Sequence, residues 1–123
     1  MTNPQNQAIQ SFDVFLTKHA HKEFLALPVS LQAATADVIN ELKLYGNTLT
    51  EPEVKSFKNG LKELRAKSRE GISRSFFFFI KGKQAYIVHI FQKKSQKTPK
   101  QNLDLAIERM KKLKQELEND KRP

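Results

Sequence analysis

The fold is decided by the stretch 72-ISRSFFFFI-80, which contains four consecutive phenylalanines, Phe76 to Phe79. Successive side chains of a strand point to opposite faces of its sheet, so four aromatic residues in a row predict a strand that is covered on both faces. Such a strand lies in the middle of its sheet. Arg74 and Lys81 flank the run as charges that oppose aggregation.

Turn signals on both sides of this run predict an antiparallel meander of three strands. Gly60 opens a predicted strand over residues 61–67, and Glu70-Gly71 forms the turn into the phenylalanine strand. Gly82 lies in a tight turn that leads to a third predicted strand over residues 85–91.

The residues before the meander predict a short strand and a helical hairpin. Residues 12–17 alternate as a strand does, and the first helix opens at Thr17 or Lys18 and ends at Leu27-Pro28, because the residue before a proline is disfavoured in a helix. A second helix follows at once and ends at Gly46-Asn47. Residues 48–59 are predicted to be a loop.

The last predicted helix runs from Pro99 to about Asn119. Thr98 is suited to be its N-cap, Pro99 to its first helical position, and Gln101 completes a capping box. The element order β-α-α-β-β-β-α predicts a small α+β domain over residues 11–123, after a disordered lead of residues 1–10. The helix has an apolar stripe that is expected to pack on the sheet or on a partner, formed by Leu103, Ala106, Met110, Leu113 and Leu117.

The composition narrows the class of protein. The chain of 123 residues has no cysteine, which excludes disulfides and thiolate metal sites. No apolar run approaches the roughly 20 residues that span a bilayer, and the N-terminus does not resemble a signal peptide. The expectation is a soluble, cytoplasmic protein.

The positive charge is concentrated in the middle of the chain. The net charge is +9, and residues 54–101 carry 13 Lys or Arg against 2 Glu, a local charge of +11. A segregated excess of this kind is typical of a nucleic-acid-binding surface. The alternative, a basic face that only keeps the protein soluble, does not require the charge to be segregated.

Several motifs together resemble the RelE/ParE toxin superfamily, and most closely its HigB-like, phage-derived branch. They are Val54-Lys55, 60-GLKELR-65, Arg74 and 89-HIFQKKSQKTP-99. The chain departs from that pattern at Ile90, where a small residue is usual, and at Phe76, where an aromatic hydroxyl is common. The missing hydroxyl argues against tyrosine-based chemistry.

The resemblance implies a toxin of a type II toxin–antitoxin pair. Many HigB-like and RelE-like members cleave mRNA in the ribosomal A site, whereas ParE-like members share the fold and bind DNA gyrase. The expected partners are therefore mRNA on the ribosome and a cognate antitoxin of the helix-turn-helix class. A gyrase inhibitor and an inactive remnant that only binds its antitoxin remain alternatives, because a shared fold does not determine activity.

Arg65 and Arg74 are the first candidate catalytic residues. They lie five and four residues from Glu70 of the predicted turn, so they can face each other across the two strands if the register is nearly symmetric. Two facing guanidinium groups repel unless an anion lies between them. A phosphate fits this place, and the alternative is a carboxylate such as Glu63 or Glu70.

The candidate site also includes His89 and the lysines around the last helix start. His89 is expected on the same strand face as apolar side chains, where a histidine is either a hydrogen-bonded core residue or a proton-transfer group. Lys93 and Lys94 are candidate catalytic cations. The candidate RNA-binding lysines are Lys55, Lys58, Lys62 and Lys97. His19 and His21 do not complete a metal-ligand set with His89, so no metal and no cofactor is expected.

The expected mechanism is attack by the 2′-hydroxyl of the RNA on the adjacent phosphate. It requires a base, a cation clamp and an acid for the departing 5′-oxygen. The sequence has many cations but only one obvious group that titrates near neutral pH. Alignment of the mRNA by the ribosome would compensate for this shortage.

Overall fold

The computed structural model describes residues 11–80, 82–93 and 98–119. Its strands form one sheet in the order β1-β5-β4-β3-β2, in which β1 runs parallel to β5 and the other pairs are antiparallel. The predicted α+β class is confirmed, and the predicted disordered lead lies outside the described residues. The elements are β1 (Asp13–Leu16), α1 (Lys18–Leu25), α2 (Val29–Tyr45), β2 (Val54–Ser56), β3 (Lys62–Ser68), β4 (Gly71–Ile80), β5 (Gln84–Lys93) and α3 (Lys100–Asn119).

Strand β4 lies at the centre of the sheet, as the four phenylalanines predict. Phe76 and Phe78 point to one face and belong to the apolar cluster that includes Ala106 and Met110 of α3. Phe77 points to the other face, against the cluster formed with α1 and α2. We call these two sides the α3 face and the hairpin face. Phe76, Phe77 and Phe78 are thus buried because helices cover both faces, and Phe79 is partly buried against the hairpin-face cluster.

The helix ends follow the sequence signals closely. The Thr17 hydroxyl accepts a hydrogen bond from the Ala20 amide at 3.2 Å and so caps α1. Gly46 ends α2 with φ of +53°, and a Cβ at this position would collide with the Phe12 ring. Only glycine satisfies both conditions. The predicted apolar stripe of α3 also packs on the sheet, since Ala106 and Met110 are buried.

Several predicted boundaries were wrong. Helix α1 ends at Leu25 rather than at Leu27. Residues 48–59 include strand β2, which pairs antiparallel with β3 and buries Val54. Three residues are too few to show a period in the sequence, so only the partner strand defines β2. Strand β5 continues to Lys93, opposite Ile72, beyond its predicted end. Helix α3 begins at Lys100 rather than Pro99, since the Pro99 carbonyl accepts the first helical hydrogen bonds.

Among the helices of the described ranges, none combines the length and apolar character that a membrane span requires.

Candidate functional site

Arg65 and Arg74 face each other directly across β3 and β4. The anion between them is the carboxylate of Glu63: Arg74 Nη1 donates to Oε1 at 3.0 Å, and Arg65 Nε donates to the same oxygen at 3.3 Å. The facing arrangement is confirmed. The carboxylate alternative, rather than a phosphate, occupies the space between the two arginines.

The two arginines differ sharply in exposure. The Arg74 side chain is completely buried, whereas 29% of the Arg65 side chain is exposed to solvent. Only Arg65 can therefore reach a substrate in this conformation. The phosphate-binding role of Arg74 stays a prediction; in this conformation its buried guanidinium binds Glu63.

Glu63 also binds the start of the last helix. The Thr98 hydroxyl donates to Glu63 Oε2 at 2.7 Å. The Glu63 carboxylate is completely buried. Its hydrogen bonds join Arg65 of β3, Arg74 of β4 and Thr98, which lies just before α3. Charged groups are rarely buried unless hydrogen bonds compensate for the lost water. Here, three hydrogen bonds provide that compensation.

His89 lies in a second buried polar group, between α1, β5 and α3. Its Nδ1 is 3.1 Å from Glu23 Oε1, and its Nε2 is 2.6 Å from Asn102 Oδ1. The imidazole is stacked near the Phe76 and Phe91 rings, with 5% of the residue exposed. Both ring nitrogens are engaged inside the protein, which is the geometry of a hydrogen-bonded core histidine.

Glu23 connects this group to α3. Its carboxylate accepts from the Ile90 amide at 2.9 Å and from Arg109 Nη1 at 2.9 Å, in addition to its contact with His89. Burial by itself raises the pKa of Glu23, but hydrogen bonds from His89, Ile90 and Arg109 and the charge of His89 outweigh it, so the pKa lies below its ordinary value of 4.5. Glu23 is therefore ionised at neutral pH.

Several cations lie on the part of the α3 face that the helix itself does not cover. Directly opposite residues share a face, so Lys67 and Lys93, both opposite Ile72, lie on the same side as Arg65. Lys67 and Lys93 also border a cleft of about 340 Å³ at the β3–β4 turn, together with Arg69. Among the described residues, Lys67, Arg69 and Lys93 have no carboxylate partner, whereas Arg65 is bonded to Glu63. They form what we call the cationic face, defined by Arg65, Lys67, Arg69 and Lys93.

Among the described residues that border this cleft, the only carboxylate is that of Glu70. Glu70 Oε1 accepts a hydrogen bond of 2.5 Å from Ser30 at the start of α2. The Gln92 side chain donates to the Glu70 carbonyl at 2.7 Å, and the Ser68 hydroxyl accepts from the Glu70 amide. These contacts bind the turn to two neighbouring elements, so the cations it carries are presented in a defined place.

The lysines predicted to bind RNA are not all on this face. Lys55 lies on this face, because it is opposite Glu63. Its Nζ is 5.3 Å from the centre of the Phe57 ring. Lys62 points to the opposite face and donates to Ser56 Oγ at 3.0 Å. Lys58 is exposed in the short 3-10 turn before β3. Lys94 and Lys97 lie outside the described residues.

A family model, the phage-derived protein Gp49-like family (DUF891), matches residues 22–111. The chain belongs to this family. The match confirms the phage-derived branch that the sequence motifs indicated. The matched residues include Glu63, both facing arginines and His89. No curated protein matches the sequence.

Solved structures show that this Gp49-like protein has the RelE fold. The E. coli toxin RelE, a double arginine-to-alanine mutant in the free state, matches with a TM-score of 0.61 at 15% identity over 82% of this chain and 99% of that one. The toxin–antitoxin complex RelBE2 of Mycobacterium tuberculosis matches with a TM-score of 0.55 at 15% identity over 68% and 100%. The archaeal RelE–RelB complex of Pyrococcus horikoshii OT3 matches with a TM-score of 0.50 at 20% identity over 68% and 96%.

Three residues of this candidate site were not predicted as site residues from the sequence: Lys67, Arg69 and Glu63. Lys67 lies two residues after Arg65, a period that places both on one face of β3, and Arg69 continues this spacing into the turn, so the pattern could have revealed them. Glu63 appeared only as one alternative partner of the arginines. No local signal marks its contact with Thr98, because the two residues are 35 positions apart.

The described residues hold no obvious metal site, since they contain no group of three His, Cys, Asp or Glu side chains placed around one point.

Proposed function

We propose that this protein is the toxin of a type II toxin–antitoxin pair and that it cleaves mRNA on the ribosome. The RelE fold and the match to the Gp49-like family support a toxin. The observation that carries the RNA target is the cationic face, whose side chains other than Arg65 have no internal carboxylate partner among the described residues. Cations that are grouped on one face without a carboxylate partner suit the phosphates of a polynucleotide.

The proposed reaction needs no group beyond the RNA, the protein and solvent water. The 2′-hydroxyl gives its proton to water and its oxygen attacks the adjacent phosphorus. The bond to the 5′-oxygen breaks, and that oxygen takes up a proton from water. The products are a 2′,3′-cyclic phosphate and a free 5′-hydroxyl. Arg65 supplies a guanidinium for the phosphate, which gains charge in the transition state, and Lys93 and Lys94 are the candidate cations beside it.

Arg74 and His89 have supporting roles in this proposal. Arg74 holds Glu63, and His89 connects Glu23 to Asn102 across α1 and α3. Neither side chain is exposed enough to touch RNA. The protein thus relies mainly on cations and alignment, and we expect weak cleavage of free RNA compared with mRNA on the ribosome.

A second candidate function is a non-enzymatic inhibitor that binds another target, such as DNA gyrase. The observation that favours it is the engagement of both His89 ring nitrogens inside the protein. Without an accessible imidazole beside the cationic face, binding alone accounts for the surface. The same engagement of His89 also favours an inactive remnant that only binds its antitoxin.

Induced expression separates these candidates. If the proposal is right, growth stops, and primer extension on cellular mRNA reveals new 5′ ends inside translated frames, which disappear when translation initiation is blocked. Growth arrest without such ends, accompanied by gyrase-dependent DNA breaks, would establish the second function. Neither arrest nor cleavage would indicate the inactive remnant.

A further inference from the structure

The strongest unassigned feature is the junction at which the buried Glu63 carboxylate meets three separate elements. One oxygen accepts from Arg65 of β3 and from Arg74 of β4, and the other accepts from Thr98 just before α3. No surface of this carboxylate is exposed, so it cannot itself touch a substrate.

One carboxylate holds both the Arg65 guanidinium and the residue before α3. Thr98 is bonded to Glu63, which also holds the Arg65 guanidinium. Helix α3 begins at Lys100, two residues after Thr98, so the Thr98 hydroxyl ties the start of this helix to β3.

We infer that Glu63 is a positioning residue of the toxin, which acts by holding Arg65 and Thr98 together. Through the first contact it orients the exposed guanidinium, and through the second it fixes this guanidinium relative to the start of α3. This inference rests on the proposed function for its effect on cleavage. The hydrogen bonds of Glu63 with Arg65 and Thr98 belong to the fold, so they can be tested without measuring cleavage.

The sharpest test alters Thr98, because Glu63→Gln changes a buried charge and can prevent folding. Thr98→Val keeps the shape of the side chain and removes the hydroxyl, and Thr98→Ser restores the hydroxyl. Thr48→Val is the matched control, since the Thr48 hydroxyl is exposed and donates to the Tyr45 carbonyl, away from the cationic face.

On programmed ribosomes, Thr98→Val is expected to lower kcat about 10- to 100-fold, as small misalignments of reacting groups do, and to change KM less than about threefold. Thr98→Ser is expected to retain at least about half of the wild-type kcat, and Thr48→Val to match the wild type. An unchanged kcat in Thr98→Val overturns the inference. So does a Thr98→Ser protein that is as slow as Thr98→Val, because the methyl group and not the hydroxyl would then matter.

Amide hydrogen exchange supplies a readout that does not depend on cleavage. We expect the peptide that covers residues 98–103 to exchange at least about tenfold faster in Thr98→Val than in the wild type or in Thr48→Val. If the wild type cleaves no mRNA, the proposed function fails, and faster exchange still supports Glu63 as the anchor. Unchanged exchange overturns the anchor whatever the activity is.

Discussion

Arg74 donates to Glu63 at 3.0 Å, and neither side chain exposes any surface to solvent. A buried ion pair adds little net stability compared with apolar residues of similar size, whereas the loss of one partner leaves a buried charge without its counterion. The pair is therefore better explained by the geometry it imposes than by the stability it adds. It fixes the carboxylate that Arg65 and Thr98 share.

The first prediction concerns this pair. Arg74→Met should lower the free energy of unfolding by about 3 kcal/mol, because Glu63 stays buried without its main cation. The double variant Arg74→Met with Glu63→Met should lose less than the sum of the two single changes, since no buried charge is left uncompensated. Chemical denaturation of the three variants measures this coupling. Additive losses would contradict the pairing.

The second prediction is the pH dependence of the Glu23 contacts. The pKa of Glu23 is lower in the folded protein than its ordinary value of 4.5, so the folded state favours the ionised carboxylate. Its contribution to stability is fully present above about pH 4.5 and is lost as the pH falls through the folded pKa. Glu23→Gln should therefore melt below the wild type at pH 7, and the gap should narrow towards pH 3.

An exposed carboxylate provides the control for that experiment. Glu118→Gln, near the end of α3, should melt within about 1 °C of the wild type at both pH values, because surface substitutions are usually close to neutral. A Glu23→Gln gap that stays constant between pH 7 and pH 3 would mean that shape, rather than charge, connects α1 to β5.

The third prediction decides the role of His89. His89→Gln keeps one hydrogen bond but cannot reach both Glu23 and Asn102, so the free energy of unfolding should fall by about 1–3 kcal/mol. Cleavage should persist below the melting temperature, since this side chain is buried away from solvent. His19→Gln, exposed on α1, is the matched control. Lost cleavage with unchanged stability would assign His89 to proton transfer instead.

The fourth prediction tests the cationic face. Lys67→Ala and Lys93→Ala should each weaken binding to ribosomes, and each should reduce the slope of log K against log salt concentration by about one, as expected for one lost phosphate contact. Lys43→Ala on the exposed end of α2 serves as the control. Lys62→Ala should behave like the control, because Lys62 points to the other face of β3. Equal slopes for all four variants would exclude this face as the RNA contact.

The fifth prediction concerns the antitoxin. An acidic antitoxin segment that covers the cationic face should dissociate as the salt concentration approaches 1 M, because counterions screen the contact. Ala106 and Met110 of α3 are buried against the sheet, so only the outer part of the helix remains available for an apolar contact. Co-purification that withstands 1 M salt would identify that outer part of α3 as the main docking surface.

Much of this protein could be predicted from the sequence because the signals are local. The run of phenylalanines determined the central strand, since alternation requires both faces of that strand to be covered. Thr17 and Gly46 defined helix ends through their own hydrogen bonds and backbone angles. The symmetric spacing of Arg65 and Arg74 about one turn was enough to place them opposite each other.

Only the tertiary structure decided which charges are exposed and which are buried. Arg65 and Arg74 look alike in the sequence, yet the Arg74 side chain is completely buried against Glu63 and the Arg65 side chain is partly exposed. The contacts of His89 with Glu23 and of Glu63 with Thr98 join residues 66 and 35 positions apart, and no local pattern encodes such distant partners. Burial and pairing depend on how helices pack on the sheet, which is a property of the whole chain.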